Sequence, residues 1–156
     1  MGAVILVGLA ALMIHWWRGA GMQPTMTREQ AVERLDTHLR AAMAVLPEGA
    51  TFEKGFSNVT RCDLPSDSGP KGRVSAGTTY KILGVAMTDF QAVFERFKGH
   101  WARDGYILLE DTRPKSWFLR VQSTPEEFRM SLQGNDQGGL FLLGSSPCVW
   151  PDGTPS

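Results

Sequence analysis

Residues 106–143, YILLEDTRPKSWFLRVQSTPEEFRMSLQGNDQGGLFLL, determine the fold class of this 156-residue chain. Short apolar runs recur in this stretch, separated by DTRPK, STPEE and GNDQGG, and apolar and polar residues alternate within them. A period of two is typical of strands, and Pro, Gly and Asn between runs favour turns. The short connections predict an antiparallel meander. The predicted strands are Tyr106–Glu110, Trp117–Val121, Phe128–Leu132 and Leu140–Leu143.

Two helical segments precede these strands. The first begins with the capping-box sequence TREQ at 27–30 and has apolar residues at helical spacing up to Leu46. The second begins with TDFQ at 88–91, also a capping-box pattern, and Gly105 is placed to end it. Its aromatic stripe is more typical of a helix packed on a sheet than of a ligand pocket. The stripe consists of Phe90, Val93, Phe94, Phe97 and Trp101.

The region between the helices predicts two further strands, Phe56–Cys62 and Thr78–Leu83. They are separated by PSDSGPKG at 65–72, which is more typical of a solvated connector than of a binding edge. The predicted order is therefore α-β-β-α-β-β-β-β. It indicates an α+β domain over residues 27–148, with two amphipathic helices packed on one face of an antiparallel β-sheet. Residues 149–156 are predicted to form an extended C-terminal tail.

The amino-terminal residues 1–18 are predicted to form a transmembrane anchor or signal segment. Residues 2–17, GAVILVGLAALMIHWW, carry no charge, and Trp16 and Trp17 before Arg18 are typical of a membrane interface. As a helix the segment spans about 24 Å, which is shorter than the hydrocarbon core of about 30 Å. A cleaved signal peptide and a buried soluble helix are the alternatives. Residues 19–26 are predicted to be a tether.

The membrane orientation follows less directly from the charges. Arg18 and Arg28 come after the apolar segment, which by the positive-inside rule places the main domain in the cytoplasm. A true start upstream of the given sequence would remove this conflict. We prefer that interpretation because of the two cysteines.

Cys62 and Cys148 are the only cysteines, and they lie at the end of the first predicted strand and just after the last. They form no Cys-x-x-Cys motif, and no histidine lies at metal-ligand spacing. A lone reactive thiol would lack an adjacent base. We therefore predict a disulfide that closes almost the whole domain, worth about 4–5 kcal/mol in the chain-entropy model. Such a bond persists in oxidising compartments, so we expect the domain to be extracytoplasmic.

Several motifs, taken in order over residues 28–148, resemble one bacterial family. They are LPEGATF at 46–52, Cys62, the helix that Asp89 leads and DGY closes, EFRMSLQ at 127–133 and GGLFLLGSSPC at 138–148. In this order and with this cysteine placement, the chain resembles the LppA-like lipoproteins of high-GC Gram-positive bacteria. The resemblance implies a compact α+β domain outside the membrane and no established activity. The amino-terminal segment has no lipobox cysteine, so a protein anchor would replace the lipid.

The titratable residues predict no catalytic, cofactor-binding or metal site. His15, His38 and His100 lack zinc-binding spacing, and we expect His38 to lie at the edge of the core. His100 is placed to stabilise a helix C-terminus as a cation. We expect no cofactor.

Two pairs of adjacent acidic residues were candidates for acid–base catalysis. Glu110 and Asp111 point to opposite faces of their predicted strand, so they do not converge on one substrate. Glu126 and Glu127 lie in a predicted turn, where we expect them to provide solubility.

The charge balance limits the possible partners. Sixteen basic and sixteen acidic residues give zero formal net charge, which excludes the electrostatic signature of a nucleic-acid-binding protein. The leading prediction is a membrane-anchored extracytoplasmic protein, a non-catalytic binding or structural module of the cell envelope. Its partners are the membrane, through the amino-terminal segment, and an unidentified envelope protein or ligand. The alternatives are a small envelope hydrolase whose site is assembled from distant loops, and a cytoplasmic domain tethered by a membrane helix.

Overall fold

The computed structural model describes residues 23–67 and 69–155. The order of helices and strands agrees with the α+β prediction. The predicted membrane segment, residues 1–18, and residues 19–22 of the predicted tether lie outside the described residues. Within the described ranges, no helix is long and apolar enough to cross a membrane.

The elements are α1 (Arg28–Met43), β1 (Thr51–Arg61), β2 (Val74–Leu83), a 3₁₀ turn (Met87–Asp89), α2 (Phe90–Arg103), β3 (Ile107–Asp111), β4 (Phe118–Gln122), β5 (Arg129–Gly134) and β6 (Leu140–Ser145).

The strands form one six-stranded sheet in the order β1-β2-β6-β5-β4-β3, with every pair antiparallel. Strands β3 to β6 form the predicted meander. The β5–β6 connection is the predicted hairpin turn, in which the Asn135 amide donates to the Gly139 carbonyl at 2.9 Å. The meander joins the first two strands through β6, which lies beside β2.

Both helices pack on the same face of the sheet. α1 contacts β2 and β6, whereas α2 contacts β3, β4 and β5. The predicted aromatic stripe of α2 is buried in this interface. Alternate positions along the strands face the helices and are also buried, as expected for a sheet with one covered face. These strand residues are Ala76, Tyr80, Ile82, Leu119, Val121, Met130, Leu132, Leu140 and Leu142.

The two predicted capping boxes have different outcomes. At α1 the prediction is confirmed, because the Gln30 amide donates to the Thr27 hydroxyl at 3.2 Å and the Thr27 amide donates to the Gln30 side chain at 2.9 Å. At Thr88 it is wrong. The chain enters α2 through the 3₁₀ turn, where the Asp89 amide donates to the Ala86 carbonyl at 2.9 Å. No side chain among the described residues caps this helix.

The first two strands are longer than predicted. β1 begins at Thr51 and β2 at Val74, before the predicted starts at Phe56 and Thr78. All residues of β1 are exposed, because it lies at the edge of the sheet, beyond the strands against which the two helices pack. Its sequence therefore lacks the apolar alternation that reveals a half-buried strand. A bulge between Lys54 and Ser57 interrupts its pairing with β2 and makes the exposed edge a poorer template for another strand.

The prediction of an extended tail over 149–156 is wrong for the first residues of this segment, which pack against the domain. Val149 pairs with Val74 through backbone hydrogen bonds of 2.8 and 2.9 Å. Trp150 is only 1% exposed, and its indole nitrogen donates to the Gln23 carbonyl at 3.2 Å. Burial of two large apolar side chains favours this docked arrangement over an extended chain.

The described part of the predicted tether, residues 23–26, is also docked. The Thr25 amide donates to the Gly153 carbonyl at 2.9 Å, and the Arg28 amide donates to the Pro151 carbonyl at 3.0 Å. The start of α1 and the carboxyl-terminal segment therefore stabilise each other.

The predicted disulfide between Cys62 and Cys148 is present in the structure. Their α-carbons are 6.2 Å apart, within the usual range for a disulfide. The residues are 86 positions apart, and the bond links the end of β1 to the docked carboxyl-terminal segment.

Replacing both cysteines, Cys62→Ser with Cys148→Ser, should lower the free energy of unfolding by about 3–5 kcal/mol. The reason is that the long closed loop no longer restricts the unfolded chain. Urea unfolding under oxidising conditions measures the change. As a control, reductant should destabilise the wild type but leave the double variant unaffected. Equal unfolding midpoints for the oxidised wild type and the double variant would contradict the prediction.

Candidate functional site

A cleft of about 660 Å³ lies beside the disulfide, on the face of the sheet opposite the helices. We call it the disulfide cleft. The end of β1, the loop before β2, the β4–β5 turn and the end of β6 surround it. The loop therefore does more than connect two strands, because it forms one wall of the cleft. The polar and basic lining residues include Thr60, Arg61, Arg73, Ser75, Arg129 and Ser145.

Two of the lining arginines have no acidic partner in the part of the chain that the structure describes. Among the described residues, no carboxylate lies within 4 Å of Arg73 or Arg129. Arg73 donates to the Pro70 carbonyl at 3.3 Å, and Arg129 donates to the Gln122 side chain at 3.1 Å. Each guanidinium has five N–H donors, so these single bonds leave most of them available.

The hydroxyl groups of the cleft fall into two classes. Ser146 accepts from the Ala76 amide at 2.9 Å and donates to the Pro147 carbonyl at 2.8 Å, so its hydroxyl stabilises the fold. By contrast, the hydroxyls of Thr60 and Ser145 make no hydrogen bond to any residue that the structure describes. They are available to a ligand.

Asp67 and Glu127 contribute negative charge to the same cleft. Asp67 accepts from the Leu64 amide at 3.0 Å, which orders the loop. Glu127 has a φ of 62° in the left-handed region, which costs a non-glycine residue about 1–2 kcal/mol. The amide of Glu127 donates to the Ser123 carbonyl at 3.0 Å, and this turn bond helps to hold the strained backbone.

A second cluster, the His38 cluster, consists of Arg34, His38, Tyr106 and Glu126. It lies on the helix side of the molecule and links α1 to the β4–β5 turn and to the residue before β3. Arg34 contacts the Glu126 carboxylate at 2.8 Å, and His38 Nε2 lies 3.1 Å from its other oxygen. His38 Nδ1 is hydrogen-bonded to the Tyr106 hydroxyl.

The charges of this cluster determine the proton positions on His38. The Arg34 guanidinium holds the pKa of the Glu126 carboxyl below its usual range, so Glu126 accepts hydrogen bonds. Nε2 of neutral His38 is therefore the donor, and Nδ1 accepts from the Tyr106 hydroxyl. Burial lowers the pKa of His38 although Glu126 acts in the opposite direction, and burial raises the pKa of Tyr106 to about 12.

The chain Tyr106–His38–Glu126 has the order of a nucleophile, a base and an orienting carboxylate. However, the raised pKa of Tyr106 makes its hydroxyl harder to deprotonate, so Tyr106 is not an activated nucleophile. A groove of about 440 Å³ beside Glu126 includes Thr37, whose hydroxyl already donates to the Glu33 carbonyl at 3.0 Å. The arrangement is better suited to holding α1 against the turn than to acyl transfer.

The other candidate residues lie apart from these two sites. His100 is in the last turn of α2, as predicted, and its Nε2 lies 3.5 Å from the Asp104 carboxylate. Glu110 is near Arg120, whereas Asp111 binds Lys98 and Arg113. The described residues contain no group of three or more His, Cys, Asp or Glu side chains that could hold a metal ion.

Sequence reasoning missed the roles of the β4–β5 turn. Glu126 was expected to provide only solubility, and this is wrong because it binds both Arg34 and His38. His38 does lie at the edge of the core, where its ring contacts the buried Phe128 at 4.7 Å between centroids. No local signal could pair residues that are 88 positions apart.

Comparisons with protein families, curated proteins and solved structures found no match to this chain. The resemblance to the LppA-like lipoproteins therefore stays a prediction.

The lowered pKa of His38 predicts a pH-dependent stability. As the pH falls below about 6.5, His38 becomes protonated in the unfolded chain but stays neutral in the folded protein. The free energy of unfolding should therefore decrease between pH 7 and 5, by at most about 1.4 kcal/mol per pH unit for this proton. Urea unfolding at several pH values measures the slope.

The variant His38→Gln lacks this proton uptake and should have a shallower slope. Glu126→Gln removes the group that raises the pKa of His38, so folded His38 stays neutral to a lower pH in this variant. The decrease in the free energy of unfolding should therefore extend to lower pH. Identical slopes for the wild type and His38→Gln between pH 7 and 5 would refute the assignment.

Proposed function

We propose that this chain is a membrane-tethered extracytoplasmic protein whose folded domain binds another component of the cell envelope. The single observation that carries this proposal is the Cys62–Cys148 disulfide. Structural disulfides persist in oxidising compartments and are rare in the cytosol. The uncharged segment at 2–17 supplies the proposed tether.

The disulfide cleft supports a binding role over a purely structural one. It combines arginines without acidic partners and hydroxyls without hydrogen-bond partners among the described residues. Guanidinium and hydroxyl donors that are not paired within the described residues are suited to a polar ligand, because charge-assisted hydrogen bonds to an anion are strong.

Thiol labelling in intact cells tests the proposed location. Cells expressing the full chain are treated with a membrane-impermeant reductant and then with an impermeant polyethylene-glycol maleimide. We expect a mass shift of two labels per chain, and none without the reductant, because both cysteines are disulfide-bonded outside the membrane.

The control is the Cys62→Ser, Cys148→Ser variant, which should show no shift. Labelling only after lysis, and without any reductant, would instead place the domain in the cytoplasm. That result would favour the alternative of a cytoplasmic domain tethered by a membrane helix, which the position of Arg18 and Arg28 after the apolar segment indicates.

A second candidate function is a small envelope hydrolase, for which the Tyr106–His38–Glu126 chain supplies the order of groups but not an activated nucleophile. Its test is turnover of an activated ester such as p-nitrophenyl acetate by the purified chain. Turnover that His38→Gln abolishes without loss of folding would support the hydrolase. Equal background rates for both proteins would reject it.

A further inference from the structure

We propose that the disulfide cleft binds a ligand with more than one phosphate group, held between Arg73 and Arg129. This inference names the ligand class of the binding role proposed above. Its test does not depend on the location of the chain, because it measures binding to the purified protein.

The cleft offers positive charge that is not neutralised by an ion pair within the described ranges. Arg34, Arg40 and Arg113 each contact a carboxylate at 2.8 Å or less, whereas Arg73 and Arg129 contact none among the described residues. Arg129 is exposed, and Arg73 is half-buried at the end of the loop before β2. An anion entering the cleft therefore meets guanidinium groups that need not break an existing ion pair.

The donors of the cleft favour phosphate over a single carboxylate. A carboxylate has two oxygens, and one arginine fork already satisfies them. Here two guanidinium groups are accompanied by the hydroxyls of Thr60 and Ser145, which make no hydrogen bond within the described part of the chain. A phosphate group has more acceptor oxygens and can accept from arginine and hydroxyl donors together.

The register of the sheet sets the spacing of the two arginines. Arg129 on β5 is opposite Ser145 on β6, which is opposite Gly77 on β2. Two strand spacings, about 10 Å, separate Arg129 from β2 across the sheet, and Arg73 lies four residues before Gly77, about 13 Å further along the strand direction, so their α-carbons are about 16 Å apart. This separation suits an extended ligand with several phosphates, because one group can bind near each arginine.

The negative charge of Glu127 lowers the affinity of the cleft for anions, and this provides a specific test of the proposal. Its carboxylate lies in the same lining as Arg129 and opposes a bound anion. The left-handed backbone at this residue is held by the turn, so the acidic group is placed at the cleft by the fold. Removing this charge should tighten binding, which a general loss of structure would not do.

Isothermal titration calorimetry of the full chain in a neutral maltoside detergent, with tripolyphosphate as the probe, tests the proposal. We expect saturable binding that weakens at high salt, because the interaction is between charges. Arg73→Gln and Arg129→Gln should each weaken binding by about tenfold, since each removes a charge-assisted hydrogen-bond donor. Glu127→Gln should strengthen it about threefold, because an opposing charge is lost.

Arg96→Gln is the matched control, because Arg96 is an exposed arginine on α2, away from the cleft, and also lacks a carboxylate within 4 Å in the described chain. Its tripolyphosphate affinity should equal that of the wild type. Unfolding midpoints of all variants verify that they are folded. Absence of binding, or equal weakening by Arg96→Gln and Arg129→Gln, would overturn the proposal.

Vesicles distinguish a lipid source of the phosphate from a soluble one. The same variants are titrated with phosphatidylglycerol vesicles and with phosphatidylcholine vesicles as the neutral control. Phosphatidylglycerol carries one phosphate per headgroup, so binding to its vesicles that requires both Arg73 and Arg129 would identify neighbouring lipid headgroups as the source of the phosphates. Binding of tripolyphosphate alone would identify a soluble or polymeric phosphate.

Discussion

The antiparallel pairing of β2 with β6 holds the two halves of the sheet together. It runs from Gly77 opposite Ser145 to Ile82 opposite Leu140, and it joins the first two strands to the meander. Beyond the strands, the Val74–Val149 pairing and the Cys62–Cys148 bond continue the same junction. Because this contact brings together segments distant in sequence, its loop-closure entropy must be offset by burial and cross-linking. The disulfide cleft lies at this junction.

The β4–β5 turn connects the two sides of the sheet. Glu126 faces the helices, where it binds Arg34 and His38, while the neighbouring Glu127 lines the disulfide cleft on the opposite face. The cluster that fastens α1 to the turn therefore also fixes the segment that carries the acidic rim of the cleft. The strained backbone of Glu127 is the cost of this arrangement.

Much of the fold was predictable because most elements bury one face. The aromatic stripe of α2 and the alternation in β4, β5 and β6 have the periods of a half-buried helix and of half-buried strands. β1 was underestimated because an exposed edge strand has no such period. Of the two capping boxes, the one at Thr27 formed, whereas a 3₁₀ turn replaced the one at Thr88. Local sequence alone does not distinguish these outcomes.

The α+β class, the two helices and the cysteine pairing can be predicted from the amino-acid sequence, because they depend on periodicity and on there being two cysteines. The docking of Trp150 beside Gln23 and the contact of His38 with Tyr106 and Glu126 are visible only in the folded chain. The same is true of the cleft that Arg73 and Arg129 share. These contacts join residues far apart in the chain, and their positions follow from strand order and register, which local patterns do not encode.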